Sequence, residues 1–401
     1  MGFIDADTHV LECEETWDYF DPSEREHKPI TLEYPGVEGP GAESRRQYFV
    51  IGDTITRRFA PNGQSWGFGK DYSGDVSYLR DASVRLKEMD ELGIDVQVLF
   101  STDYLTVGVE NPTVEAAVTR SYNRWVADKT SDSGGRLRWT IVPPTGHMER
   151  CMEELEFGAA NGACGVMLKG TEHDRSLANP YFFPLYEKAQ DLDLTICVHV
   201  GFVRKGLEGL PISKTTPAGA NLLQQGFSAI LMAGSGTSGG TQRQGPSTGL
   251  NDRFPRLRFA FLEGGSSWLP GVFEGRKRMR STTRAENWVM TDHGTSLVVD
   301  PLDVAGEMAA HNLWVAGFRS EDLGYLASYV GPDALMMGTD YCHNDAGTDP
   351  LAHMLIMANP DLDPIVARKI CDDNGRAAYN IPADFTPAGP TKAPDKMPVA
   401  V

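Results

Sequence analysis

No two cysteines in this 401-residue chain are spaced C-x-x-C, although there are six of them. Zinc ribbons and dithiol redox motifs both need that pairing, so both are excluded, and scattered thiols fit a reducing, cytoplasmic setting. Positive charge is scarce: 37 Lys and Arg against 55 Asp and Glu leave a net charge of −18. Such a field repels phosphate backbones and anionic membranes, so neither nucleic acid nor a membrane is an expected partner. No apolar run approaches the roughly 20 residues of a membrane span. No basic segment precedes an apolar one near the start, and "MGFIDA" carries Ala6 where an acylation signal needs Ser or Thr. The G-x-S-x-G elbow of serine hydrolases is missing too. "GSGTSG" (234–239) fits G-x-G-x-x-G, but Gly and Pro follow where a helix should begin, so it reads as a flexible loop.

What the chain does have is alternation. Short apolar runs occur at 2–7, 94–100, 137–143, 164–170, 194–200, 257–263, 312–317 and 334–340. Helical patterns separate many of them, at 77–92, 113–130, 147–161, 181–192, near 266–288, and at 363–379. Eight strands with intervening helices predict an α/β fold, a (β/α)8 TIM barrel, over residues 1–381. Insertions at about 21–76 and 203–250, after strands one and five, would rise above the strands' carboxyl ends. The Pro-, Ala- and Lys-rich stretch 382–401 has no period and predicts an extended or disordered tail.

The first run leads into "DADTHVLE", where Asp7 and His9, two residues apart, share one face of a strand. Lys169, His199, Glu263 and Asp340 end strands four, five, six and eight. Each has an ordinary explanation alone, such as a helix cap for Asp340. Together they place polar, chelating groups where a barrel keeps its chemistry. His343 follows in "DYCHND" as a candidate to protonate a leaving group or hold a carboxylate. His293 is a weaker candidate, and the other histidines read as structural or exposed. Arg57, Arg58 and Trp66, in the first insertion, are candidate substrate contacts for an anionic or aromatic molecule.

"DADTHVLE", "HVG", "FLEGGSSWLP", "GTDYCHND", "RLKEMDELGIDVQVLF", "NPYFFPLYEKAQDL" and "DNGRAAYNI" resemble the amidohydrolase-related family. That branch of the amidohydrolase superfamily includes metal-dependent decarboxylases acting on aminocarboxymuconate semialdehyde and resorcylate. The resemblance implies a divalent ion (Zn, Fe or Mn) held by Asp7, His9, His199 and Asp340, with Asp7 in place of the first histidine of H-x-H. Asp5 would orient a ligand. Glu263 stands where the decarboxylases carry a histidine, and hydrolytic cousins place a carboxylated lysine where Lys169 falls. One or two ions are therefore expected, the second bridged by Lys169 and Glu263. The preferred expectation is a hydrolase using metal-activated water on a carbonyl of a small organic acid derivative, with Asp340 as general base. Nonoxidative decarboxylation is the alternative, and a non-catalytic binding barrel the remote one. A homodimer is expected from the resemblance alone.

Overall fold

The computed structural model describes residues 2–33, 47–57, 73–105, 108–173, 175–201, 226–227, 250–282, 288–291, 294–297, 302–343 and 347–387. Eight parallel strands form one sheet in sequence order: β1 Ile4–Val10, β2 Val96–Ser101, β3 Leu137–Ile141, β4 Ala163–Lys169, β5 Thr195–His199, β6 Phe259–Leu262, β7 Leu313–Gly317 and β8 Leu335–Met337. Each coincides with one of the eight apolar runs. The runs are nearly continuous in apolar residues because the strands are buried on both faces, by helices outside and side chains inside.

The sheet closes on itself. Beyond the last residue of β8, His9 N donates to Tyr341 O at 2.8 Å and Asp340 N donates to Asp7 O at 2.9 Å. Gly338 makes this approach possible, since a Cβ there would lie 2.5 Å from Asp7 Cβ. Asp5 adds a further tie across the seam, accepting from Thr339 N at 2.9 Å and Thr339 Oγ1 at 2.5 Å. The fold is the expected (β/α)8 barrel.

The outer layer includes α1 Ala82–Leu92, α2 Pro112–Thr130, α3 Met148–Ala160, α4 Phe183–Asp191 and α5 Leu269–Thr282. Their ends follow local chemistry. Asp81 caps α1 through Ser83 N, and Gly93 ends it in a left-handed conformation with φ 74°. Asn111 caps α2, whose first residue is Pro112. Between β1 and α1, three antiparallel strands, Ile30–Glu33, Gln47–Ile51 and Thr54–Arg57, form a small sheet. Phe49 and Ile51 of that sheet pack with Trp17 and Phe20. Much of both insertions, including 234–239 and most of 203–250, lies outside the described residues, as do His293 and 388–401. No helix among the described residues is long and apolar enough to cross a membrane.

Candidate metal centre

Three histidines and three carboxylates from four places in the chain converge at the mouth of the barrel. Asp7 and His9 leave β1 toward the interior; His199 is the last residue of β5; Glu263 follows β6; Asp340 and His343 follow β8. They alternate around a closed ring. His199 Nε2 lies 3.3 Å from Asp7 Oδ1, which is 3.6 Å from His9 Nε2, itself 3.4 Å from Asp340 Oδ1. Asp340 Oδ1 is 2.7 Å from His343 Nδ1; that nitrogen is 3.4 Å from Glu263 Oε1, and Glu263 Oε2 returns to His199 Nδ1 at 3.2 Å. All six residues are buried. The fold places His343, a candidate from the sequence, inside the barrel mouth, its ring stacked on that of His9 at 3.7 Å.

Backbone conformation sets two of these carboxylates. Glu263 and Asp340 have φ of 62° and 56°, a left-handed conformation that costs a non-glycine residue about 1 kcal/mol or more. It turns each side chain back over the strand end instead of onward into the loop. Neighbouring groups then hold the ring. His199 Nδ1 lies 2.8 Å from Val200 O, a donor position that turns Nε2 toward Asp7 and makes it the nitrogen that would face a bound ion. Thr102 Oγ1 is 3.0 Å from His343 Nε2, and Thr348 Oγ1 donates to Asp340 Oδ2 at 2.8 Å.

Burial dominates the electrostatics. It raises the Asp7 carboxyl above the usual range, the nearby His199 offsets part of that, and the charges of Glu263 and Asp340 raise it further. Burial works against charge on His199, yet the carboxylates of Asp7 and Glu263 carry its imidazole above the ordinary value. Asp5 is pushed up to about 7 by burial against its bonds from Thr339. Burial likewise takes Glu12 to about 7, although it accepts from the Ser101 hydroxyl and from Asp103 N.

The donor set fits a divalent ion. Donors about 2.1 Å from a tetrahedral ion stand about 3.4 Å apart; the contacts His199–Asp7, Asp7–His9 and His9–Asp340 span 3.3 to 3.6 Å, so Asp7, His9 and His199 supply three corners and Asp340 joins them through His9. Mixed imidazole and carboxylate donors suit zinc, iron or manganese. The ligand-type atoms form two groups, Asp7 with His9 and His199, and His9 with Glu263, Asp340 and His343, so His9 belongs to both.

Lys169 ends β4 beside His199, its register partner. Its amine bonds Tyr104 O at 3.3 Å and sits 4.2 Å from the centroid of the Tyr104 ring. Arg57 ends the third strand of the small sheet, while Arg58 and Trp66 lie outside the described residues. Sequence reading missed Glu12, Thr102 and Arg85. Glu12 had a signal, three residues beyond His9 in the same motif. Arg85, on α1, donates from Nη1 to His9 O at 2.8 Å and from Nε to Gln97 Oε1 at 2.8 Å. Nothing in the helical pattern around Arg85 distinguishes it from a solvated residue.

A closed parallel barrel with ionisable groups gathered at the carboxyl ends of its strands defines the class of barrel enzymes. The chain belongs to the amidohydrolase family, whose model matches residues 4–381. Enzymes of this family act on small molecules and use divalent metals, and the ring above is the candidate metal site. Among solved structures, the chain is similar to an amidohydrolase from Mycobacterium avium subsp. paratuberculosis K-10. The two are 15% identical, over 96% of this chain and 99% of that one, with a TM-score of 0.68. It is also similar to 5-carboxyvanillate decarboxylase from Sphingomonas paucimobilis, at 15% identity over 95% and 99% of the two chains, with a TM-score of 0.60. A third, 5-carboxyvanillate decarboxylase from Novosphingobium aromaticivorans with bound manganese, is 16% identical over 74% and 80%, with a TM-score of 0.57. At these identities the likeness concerns the fold.

Proposed function

We propose that the protein is a nonoxidative decarboxylase of a small organic acid, working with one divalent ion held by Asp7, His9, His199 and Asp340. The observation that carries this reading is that both groups of ligand-type atoms share His9, whose Nε2 faces Asp7 on one side and Asp340 on the other. One nitrogen lone pair serves one ion, so the ring favours a single centre over the two-ion arrangement of a hydrolase. The Lys169 amine, turned to the carbonyl and ring of Tyr104, points the same way. An ammonium suits both contacts, whereas a carboxylated lysine would put negative charge against an aromatic face. The decarboxylases among the similar structures support the reading.

When bound, a divalent ion supplies Lewis-acid withdrawal of electron density from a substrate oxygen. The chain's own residues handle the proton. Asp340 and Glu263 both face His343 Nδ1, at 2.7 and 3.4 Å, so a proton carried on that nitrogen is held between two carboxylates. As the C–C bond to the carboxylate breaks, its electron pair stays on the substrate carbon and carbon dioxide leaves. His343 delivers its proton to that carbon, and solvent restores it. Thr102 at Nε2 and the His9 ring fix the imidazole plane during the transfer.

Hydrolysis of a carbonyl compound is the second reading, favoured by Glu263 itself, since two carboxylates on His343 Nδ1 also suit an imidazole that takes a proton from water. Incubating manganese-loaded protein in D2O with a panel of aryl and alkenyl acids separates the two. Decarboxylation yields carbon dioxide and one deuterium on the carbon that lost it. Hydrolysis of the corresponding esters and amides without any carbon dioxide release overturns the first reading.

A further inference from the structure

We propose that Glu321, in the loop after β7, is a positioning residue that fixes Glu263 against the imidazoles of the ring. This rests on the reading in which Glu263 and His343 manage the proton, and it gives a task to a carboxylate that the mechanism leaves unused. Glu321 gathers five donors from two loops. Its Oε1 accepts from Ser267 N at 2.6 Å and Ser267 Oγ at 2.5 Å, and its Oε2 accepts from Ser266 Oγ at 2.9 Å and Phe318 N at 2.8 Å. Ser266 N lies 2.9 Å from both oxygens. A carboxylate offers acceptors only, so it suits such a gathering, whereas an amide would set its own N–H groups against the donors.

Both loops are shaped for this contact. Gly265 has φ 64°, and a Cβ there would lie 2.9 Å from Glu321 Oε1 and from Phe318 Cδ2. A Cβ on Gly317 would lie 2.9 Å from Ser266 Oγ. Glu321 is itself held, its N donating to Phe318 O at 3.0 Å and its O accepting from Leu323 N at 2.9 Å. Trp268 ties the same turn back to β6, meeting the Phe261 ring edge-on at 6.4 Å and donating from Nε1 to Gly265 O at 2.8 Å. The turn joining β6 to α5 is therefore pinned to β7, and Glu263 opens it. Its φ of 62° is a conformation that persists only where the surroundings over-determine it. Three residues on, Glu321 supplies that constraint. Without it the turn can relax to an ordinary backbone at Glu263 and swing the carboxylate away from His343 Nδ1 at 3.4 Å and His199 Nδ1 at 3.2 Å. The proposed metal ligands Asp7, His9, His199 and Asp340 stand on or after other strands, so the ion should stay.

The test is a double-mutant cycle between Glu321→Gln and Glu263→Gln in manganese-loaded protein, read as kcat on an acid that the panel above shows to release carbon dioxide. Misplacing a reacting group by about 1 Å costs on the order of a hundredfold, so Glu321→Gln should lower kcat by about tenfold to a hundredfold with KM and metal content unchanged. In the Glu263→Gln background it should lower kcat no further. Asp322→Ala, which removes the cap of the helix Leu323–Val330, should cost stability in urea and leave kcat at the wild-type value. Ser266→Ala, which deletes one hydroxyl donor, should lower kcat by less than Glu321→Gln. The crystal structure of Glu321→Gln should show Glu263 outside the left-handed region. A wild-type kcat in Glu321→Gln, an equal loss with and without Glu263, or an unmoved Glu263 in the crystal structure overturns the proposal. Wild type that releases no carbon dioxide from any acid fails the decarboxylase reading instead, and the crystal structure of the variant then decides the role of Glu321 alone.

Discussion

Replacing Arg85 by methionine tests whether the metal centre depends on a cation behind it. The guanidinium is wholly buried, donates to His9 O and Gln97 Oε1 at 2.8 Å each, reaches Cys342 Sγ at 3.4 Å, and lies 4.9 Å from the Tyr341 ring centroid. Methionine keeps the apolar stem and removes the charge. Each hydrogen bond from a charged donor contributes about 1.5–3 kcal/mol, and both acceptors would be left buried without that donor. Relief from burying a charge offsets part of the loss, so a net destabilisation of about 3–5 kcal/mol is expected. Urea unfolding of metal-free wild type and variant measures it. Because the His9 carbonyl loses its anchor, metal affinity should fall as well, measured by competition with a chelating dye. A change in stability below about 1 kcal/mol, the scale of a surface pair, combined with unchanged metal affinity, would refute the positioning role.

Gly338→Ala should weaken metal binding strongly, because its new methyl would meet Asp7 Cβ at 2.5 Å and push β1 from the seam; a metal affinity equal to wild type rejects that account. The metal-free protein should lose stability as pH rises. Folded Asp5 and Glu12 sit at about 7 against ordinary values of 3.8 and 4.5, so between those limits the folded state holds more protons than the unfolded one. Asp5→Asn should make this slope shallower, and an unchanged slope in urea titrations from pH 4 to 8 counts against the burial of Asp5 as its source. Protons also compete with the ion for His199 and Asp7, both raised by their surroundings. Metal affinity should therefore rise with pH, and a flat profile across the neutral range contradicts these residues as ligands.

The barrel was legible because strands buried on both faces leave near-continuous apolar runs, and these alternate with helices. Boundaries were less so. β1 continues to Val10 because Thr8, His9 and Val10 keep register with Leu99, Phe100 and Ser101 of β2, and His9 N finds a second neighbour in Tyr341 O, a contact from the far end of the chain that no local pattern announces. The helical pattern at 363–379 is interrupted by a π turn at Lys369–Asp373, after which Asn374 Nδ2 reaches Pro332 O and Leu335 O. At the site, Asp7, His9, His199, Glu263 and Asp340 were readable as strand-end residues of chelating type. The left-handed backbone at Glu263 and Asp340 was not, since glutamate does not favour it and an aspartate that tolerates it is equally at home in a helix cap. Lys169 was readable as a residue of the mouth, but its engagement with Tyr104 depends on a loop after another strand. Arg85 left no trace because its acceptors are 12 and 76 residues away.

The most direct measurement is anomalous diffraction from crystals of manganese-loaded protein, combined with elemental analysis. One ion per chain, in contact with Asp7, His9, His199 and Asp340 and with Lys169 unmodified, is the predicted result. Two ions bridged by a carboxylated Lys169, or an ion bound away from the ring, would contradict it.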